Sequence, residues 1–570
     1  MGQGALVSPG PTGPGASRRR LLRAAAASAG GGLAARLGVP TLAALAVGCS
    51  RAPEAVPGAW VGADATRGHA LRDGPPPATG TPLQRSAAVV VVGAGVAGLA
   101  CARALRQRGI EDVAVLELED QPGGNARGHA MGGIACPLGA HYLPLPDPRD
   151  EPLVGLLAEL GLARHEGGRL VYDERHLCHS LQERLYVGPA PHEHAWHEGL
   201  LPPVEAMPPA EQARTRDDYR RFAAAVRPWV TRGAFTVPTA GAGWSDELAA
   251  LDAHPFDRWL DEQGLHAPAL RWYLDYCCRD DYGAGSARVS AWAGLHYFAS
   301  RHGFHAPGED AGDDEAGLLT WPEGNGWLTR RLAAPLAGRL QPARVAWRVE
   351  GGRHGASVDA WDATAGRHER WQARQVVLAV PLFTATRLWR DAPPALAAAA
   401  ARQPHAPWLV ANLRLDAPLR DRPGAPPAWD NVVYGSPALG YVDAMHQSLR
   451  PDPGATVLSV YWALGGADAA AEREARRALL SGSHAHWSAR VLTELQAPHP
   501  DLRQRLQRID LMRYGHAMSI PVPGLRSDPA LRALQSFDGR VHLAHADLSG
   551  YSVFEEAFFH GHRVGSALRV

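Results

Sequence analysis

One stretch constrains the chain more than any other: Ala87 to Gly124, AAVVVVGAGVAGLACARALRQRGIEDVAVLELEDQPGG. Val89 to Val92 have the β-branched composition and the length of a buried parallel strand. They lead into Gly93, Gly95 and Gly98, and a segment with helical spacing starts at Val96 and Ala97. The three glycines have separate tasks: a tight turn, close approach of backbone to a diphosphate, and close helix–strand packing. The helix start adds open N–H groups and the positive end of its dipole. A second apolar strand, Val113 to Leu116, runs into Glu117 and Leu118. Glu117 stands 19 residues after Gly98, where an acid meets the ribose hydroxyls of an adenine dinucleotide. Strand, glycines, helix, strand and acid in this order point to a parallel α/β sheet with a dinucleotide at its edge. Incidental glycines in an ordinary α/β turn would not supply all five.

A chain of 570 residues can bury two substantial cores. Lys+Arg and Asp+Glu balance at 58 each, so no basic surface points to nucleic acid. The chain has no lysine; every fixed cation is an arginine. The six cysteines form no CxxC pair, which disfavours zinc and thioredoxin-type sites. Disulfides in an exported form stay open, but adjacent Cys277 and Cys278 are expected to be separate thiols. His192-x-His194-x-x-His197 is flanked by Pro and Gly without an acid or cysteine cluster, and reads as a solvated loop, so no metal is expected. No GxSxG elbow follows a strand, which disfavours a serine hydrolase.

The N-terminal run Ser17-Arg18-Arg19-Arg20-Leu21-Leu22-Arg23 resembles a twin-arginine export signal. A weakly apolar region follows and ends Leu45-Ala46-Val47-Gly48-Cys49, which is similar to a lipoprotein box with Cys49 as the lipidated residue. The expectation is a signal over 1–49 read by the twin-arginine export machinery and a periplasmic location. A lipid anchor is then the sole membrane attachment, since no later stretch is apolar enough to span a bilayer. Residues 50–85 read as a Pro/Gly-rich tether, with Gly58–Gly74 patterned enough to dock on the body.

After the acid comes Gln121-Pro122-Gly123-Gly124-Asn125-Ala126-Arg127. This double glycine behind a dinucleotide motif resembles the FAD-dependent amine oxidases and their desaturase relatives. Three further stretches carry the resemblance. They are Trp321 to Leu328 (WPEGNGWL), the strands Val345–Val349 and Gln375–Pro381 that look like the pair returning the chain to its cofactor domain, and the tail Arg540 to Asp547 followed by Gly550. The implied fold is a Rossmann-like FAD-binding domain of glutathione-reductase type with an interleaved α+β substrate domain. The expected boundaries are 86–151, 315–393 and 538–570 for the first and 152–314 with 394–537 for the second. The resemblance implies FAD, held by Gly93, Gly95, Val96, Ala97, Gly98, Glu117, Leu118, Gly123, Gly124, Asn125 and Ala126, and non-covalent attachment is expected because no cysteine follows Cys278 to take the place of the family's usual flavin-linked one. Arg127 is implied as the phosphate cation, backbone near Val345 at the adenine, Asp547 at the ribityl chain, and Val553 and Phe554 at the flavin end.

Flavin oxidation asks orientation, dryness and electrostatics of the protein rather than a triad. Aromatic residues expected near the flavin are His141 and Tyr142, Trp321, Tyr514, His516, Tyr551 and Phe554; core packing is the competing reading for each. Family members often hold a water with a lysine, which this chain lacks; either His141, His516 or an arginine substitutes, or the reaction does not use that water. Asp280-Asp281 offers carboxylates to a cationic substrate, but reads slightly better as a capped turn. The reading is an exported FAD oxidoreductase that takes a hydride equivalent from a small polar, amine-bearing substrate and passes electrons to oxygen or a respiratory acceptor. The rivals are a desaturase or isomerase of an apolar polyene or porphyrin, and a flavin-holding partner protein without turnover.

Overall fold

The computed structural model describes residues 56–570 except 78–79, 189–194, 302, 310–316, 451–452 and 537. The twin-arginine-like run, Cys49, His192 and His194 lie outside the described residues.

The valine run builds the middle of a seven-stranded sheet. Leu83–Val92 pairs in parallel with Val113–Leu116 on one side and Arg367–Leu378 on the other. Leu340–Gln341 extends the sheet past Val113–Leu116, and Val541–Leu543 adds in parallel to Val376–Leu378. Val89 and Val91 enter one core and Val90 and Val92 the core on the opposite face, all four buried. A strand covered on both faces needs an unbroken apolar run, and that is why the sequence reads VVVV instead of alternating.

One face is covered by the helix Val96–Gln107 and, lying along it, the C-terminal helix Phe554–Ala567. Gly561 and Gly565, four residues apart and so on one helix face, make the contact. A Cβ at either position would drive into a backbone carbonyl, that of Ala97 or of Cys101. Arg108 then donates to the carbonyls of Gly565 and Leu568 at 2.8 Å each, which satisfies orphan groups at the end of the C-terminal helix.

A second sheet has eight strands, drawn from residues 58–60, 183–198, 405–463 and 506–519. Its long strands are His405–Leu415, Thr456–Ala463 and Leu506–Ser519. The helices Pro209–Thr231, Pro268–Tyr282 and Ala291–Ala299 pack with it around Phe222, Phe256, Leu274 and Phe298. The chain thus carries an α/β sheet and an α+β layer interleaved in sequence, as expected.

Three details differ from the sequence reading. Residues 56–85 are not simply a tether. Gly58–Trp60 is a strand paired in parallel with Ile509–Leu511, Ala65–Asp73 is a helix capped by Asp64, and Leu83 already belongs to the central strand. Backbone pairing to an otherwise open sheet edge explains the docking. The stretch Glu151–Tyr172 packs into the dinucleotide sheet's core through Leu153, Leu156, Leu157 and Leu162, with Arg103 pairing to Glu159. The return strands Arg344–Gly351 and Arg367–Leu378 are not neighbours, since Ala356–Asp362 lies between them as an antiparallel middle strand. The five described cysteines, Cys101, Cys136, Cys178, Cys277 and Cys278, are buried free thiols.

The glycine contact between the two helices yields a stability prediction. Gly561→Leu should destabilise by ~3 kcal/mol or more, at or beyond the top of the range for overpacking, because the obstacle is backbone. Gly155→Ala, in a helix with open space around it, should leave the midpoint of thermal unfolding unchanged or slightly raised.

Candidate active site

The dinucleotide cradle forms where backbones meet without side chains between them. Gly95 ends the turn and caps the helix Val96–Gln107 with no side-chain hydrogen bond, so the first N–H groups stay open to an anion. The second glycine loop arrives directly opposite: a Cβ on Gly124 would stand 3.1 Å from the Cα of Gly95. Gly123 and Gly124 take positive φ, 124° and 56°, which an L side chain rarely adopts. Glu117 is buried. Its carboxylate accepts the N–H of Ala94 at 2.8 Å and of Glu119 at 3.0 Å, which fixes it beside the glycine turn, while burial raises its pKa. Arg344 donates its backbone N–H to the carbonyl of Glu117, so Val345 follows directly after the residue bonded to this acid's backbone. A cradle of glycines, an open helix end and a fixed acid fits a dinucleotide.

Other expected cofactor residues have structural duties. Asn125 donates through Nδ2 to the carbonyl of Ala517 at 2.7 Å, and its carbonyl accepts Ala140 N–H. Ala126 is buried, with its carbonyl accepting the Thr329 hydroxyl. The guanidinium of Arg127 donates to the carbonyls of Gly124 and Gly62, which makes it a brace of the loop. The Asp547 carboxylate is fully enclosed, with Leu382 N–H at 2.8 Å, His405 Nε2 at 3.1 Å and His545 Nδ1 at 3.3 Å, and the two histidines hold its pKa well below the carboxylate range. Those partners occupy the side chain, so Asp547 locks the tail to the helix Leu382–Leu388. Val553 begins the C-terminal helix, whose start has no side-chain cap, and Phe554 behind it is buried.

The aromatic candidates separate into two groups. His141 stacks on Tyr461 with ring centroids 4.3 Å apart, and Tyr142 and Trp429 close around it at 5.0 and 5.4 Å. The hydroxyls of Tyr514 and Tyr461 donate to the carbonyls of Leu138 and Gly139, and pin the His141 loop beside the double-glycine loop. Burial lowers the His141 pKa to about 3 and raises that of Tyr514 to about 12, so both are neutral across the physiological range. Trp321, Tyr551 and His516 are not part of this box. Trp321 stacks on Trp327 and donates to His176 inside the dinucleotide core. Tyr551 is fully buried against Tyr282, Trp292 and His296. His516 is exposed and packs on Phe383.

Sequence reasoning singled out Asp280 but missed the two carboxylates that accompany it beside the box. Glu183 and Asp430 are direct partners across two parallel strands, Glu183–Tyr186 and Asp430–Val433, and so stand on one face of the sheet. Asp280 comes from the last turn of the helix Pro268–Tyr282, which ends at Gly283 in the left-handed conformation. It is a helix end, then, and not an acid-capped turn, and an acid there opposes the helix dipole. Its neighbour Asp281 is neutralised by Arg301, with both oxygens 3.1 Å from Nη2. Among the described residues no arginine or histidine forms an ion pair with Glu183, Asp280 or Asp430. Burial pushes the pKa of Glu183 and of Asp280 up to about 7, and burial with the charges of Glu183 and Asp280 pushes Asp430 well above the carboxylate range. Asp430 and Asp280 also help raise Tyr461, and Asp280 helps raise Tyr142, which ties the acids to the aromatic box. Each of the three keeps some accessible surface while burial dominates its electrostatics. The signal in sequence was faint: an acid at one position of each of two short strands, with no motif around either.

The comparisons with known proteins agree with this geometry. Residues 96–568 match the family model described as flavin containing amine oxidoreductase. A Mycobacterium tuberculosis (strain H37Rv) protein, AofH, named as a flavin-containing monoamine oxidase, is 30% identical over 152 residues, which span 26% of this chain and 29% of that relative. A solved putrescine oxidase superposes with a TM-score of 0.62 at 19% identity, covering 85% of this chain and 99% of its own. Cyclohexylamine oxidase from Brevibacterium oxydans IH-35A gives 0.58 at 17% identity, covering 84% and 98%.

The unpaired acids predict a pH dependence. A carboxyl whose folded pKa lies above its unfolded value binds more protons in the folded state between those values, so stability falls as pH rises from about 4 to 7. Asp430→Asn should therefore raise stability at pH 8, by on the order of 1 kcal/mol, by removing the like-charged cross-strand pair, and should have little effect at pH 4. Urea unfolding at the two pH values checks both signs.

Proposed function

Because the chain belongs to the flavin-containing amine oxidoreductase family, its substrate is to be sought beside the acids and aromatic rings just described, and we propose that it oxidises a small amine bearing at least one further cationic group. The observation that carries this reading is the Glu183–Asp430 pair, with Asp280 adding its charge to theirs and no ion pair to any of the three among the described residues. Like charges directly opposite across a sheet are destabilising, and they are tolerated where a ligand supplies the missing charge. A chain without lysine offers no flexible ammonium to fill the place from within.

FAD, when bound, supplies the hydride acceptor. The residues positioned to hold it are Gly93, Gly95, Gly98, Glu117, Gly123, Gly124 and the open helix start at Val96. The chain's own contribution is recognition and exclusion of water. Ionised Glu183, Asp280 and Asp430 attract ammonium groups. The faces of Tyr142, Trp429 and Tyr461 receive the amine, at about 0.5–2 kcal/mol each. His141, held neutral by burial, adds no repelling charge. Three carboxylates in this cluster argue against an apolar polyene as substrate. Electrons leave to oxygen or to a respiratory acceptor.

Anaerobic mixing tests the assignment. Diamines and triamines should bleach the flavin band, and Asp430→Asn and Glu183→Gln should each raise KM for a diamine tenfold or more with a smaller change in kcat. Bleaching by polyenes alone would restore the desaturase reading, and no bleaching by any class would favour a non-catalytic flavoprotein. Equal KM values for the parent and both variants would remove these acids from recognition.

We further propose that the Ser17–Arg23 run exports the folded protein to the periplasm and that Cys49 carries the lipid that tethers it to a membrane. Cell fractionation should find Arg18→Lys/Arg19→Lys/Arg20→Lys retained in the cytoplasm, and mass spectrometry of the mature N-terminus should find a diacylated Cys49.

A further inference from the structure

The segment from Pro57 to Pro76 touches both sheets at the rim of the dinucleotide cradle. Its strand Gly58–Trp60 is hydrogen-bonded to the eight-stranded sheet, with Ile509 N–H on the carbonyl of Pro57 and Val61 N–H on that of Leu511. Trp60 anchors it there, under the guanidinium of Arg513 at 4.5 Å and edge-on to His484. At Gly62 the chain turns with φ +87° and crosses to the other sheet. The carbonyl of Gly62 accepts Arg127 Nη1 at 3.3 Å, and the N–H of Asp64 donates to both carboxylate oxygens of Glu119, at 3.1 and 3.2 Å. Arg67, from the helix Ala65–Asp73, donates to the Leu118 carbonyl at 3.4 Å and to Asp120 Oδ1 at 2.7 Å. Leu71 packs on the far core, and the Pro76 carbonyl meets His368 Nε2 at 2.8 Å.

The residues it grips share a location. Leu118, Glu119 and Asp120 directly follow Glu117, the acid expected at the ribose, and Glu117 itself accepts the N–H of Glu119. Arg127 ends the double-glycine loop and also reaches the carbonyl of Gly124 and, at 4.0 Å, Glu119. A closed ring results, from the Gly62 carbonyl through Arg127 and Glu119 to the Asp64 N–H. Arg127 and Glu119 are both largely buried in it, so opening the segment would leave two charged groups short of partners.

We propose that residues 57–76 form a strap that retains FAD by fixing the Glu117–Gly124 loop, with Asp64 and Arg67 as positioning residues for the cofactor. The strap is tied to a different sheet from the loop it holds, so the loop cannot swing away from the glycine turn while the strap is seated. Release of FAD then requires the strap to open. By reciprocity of linked equilibria, bound FAD must in turn hold the strap closed.

Two measurements test this, and neither involves substrate, so they are independent of the amine assignment. The rate of FAD release from purified holoprotein, followed by recovery of free flavin fluorescence, should rise at least fivefold in Arg67→Ala and return partway to the parent's in Arg67→Lys. Hydrogen exchange of unmodified protein should show the amides of Val61 and Asp64 protected in the FAD-loaded form relative to the FAD-stripped form. A release rate for Arg67→Ala within twofold of the parent's overturns the proposal, and so does exchange across 58–67 that is the same with and without FAD. The exchange experiment needs no variant, so a misfolded Arg67→Ala would not shield the idea.

Discussion

The structure depends on backbone meeting backbone around the helix Val96–Gln107. At its start the double-glycine loop lies against Gly95, and along its length the C-terminal helix lies against Ala97 and Cys101. Side chains at these points would hold the segments a side chain's thickness apart, and the open helix end would no longer face an enclosed cradle. Removing the side chains lets dispersion and hydrogen bonding act between main chains. The cost is conformational freedom lost by glycine on folding, which the large flanking cores at Val89, Leu99 and Phe558 offset.

The electrostatics of the acid cluster follow from a compositional fact and a topological one. Arginine is the only fixed cation, and where it is buried among these elements it is already engaged, as Arg301 is with Asp281. Parallel pairing of a strand near residue 183 with one near residue 430 places two acids side by side that lie far apart in the chain. The helix that delivers Asp280 adds a third carboxylate against its own dipole. Aromatic walls and a neutral histidine complete surroundings whose unmet charge is negative.

The dinucleotide half was legible because its signals are local. A four-valine strand, three glycines and an acid occupy one continuous stretch, and each has a steric or electrostatic reason to be where it is. The His141 box was half legible: GAHYLP marks a tight loop, but Tyr461 and Trp429 reach it only through sheet pairing. Glu183 and Asp430 were illegible because a single acid in a short strand is ordinary until its partner strand is known. Asp547 could be placed in the tail from sequence, but its partners could not: His405 and the N–H of Leu382 come from elsewhere in the fold. Trp321 and Tyr551 were drawn toward the site by their segments, whereas core packing claims both.

The parallel sheet that carries the cradle is finished by Val541–Leu543, and the helix Phe554–Ala567 covers it. The first strand of that sheet therefore waits through more than four hundred residues of synthesis before the last strand of the sheet leaves the ribosome. Contacts of such long sequence separation close slowly, and until they close, the apolar face of the glycine-turn helix is open to chaperones and to aggregation. Cofactor capture is consequently a late event in the folding of each molecule, completed only when the C-terminal helix has docked.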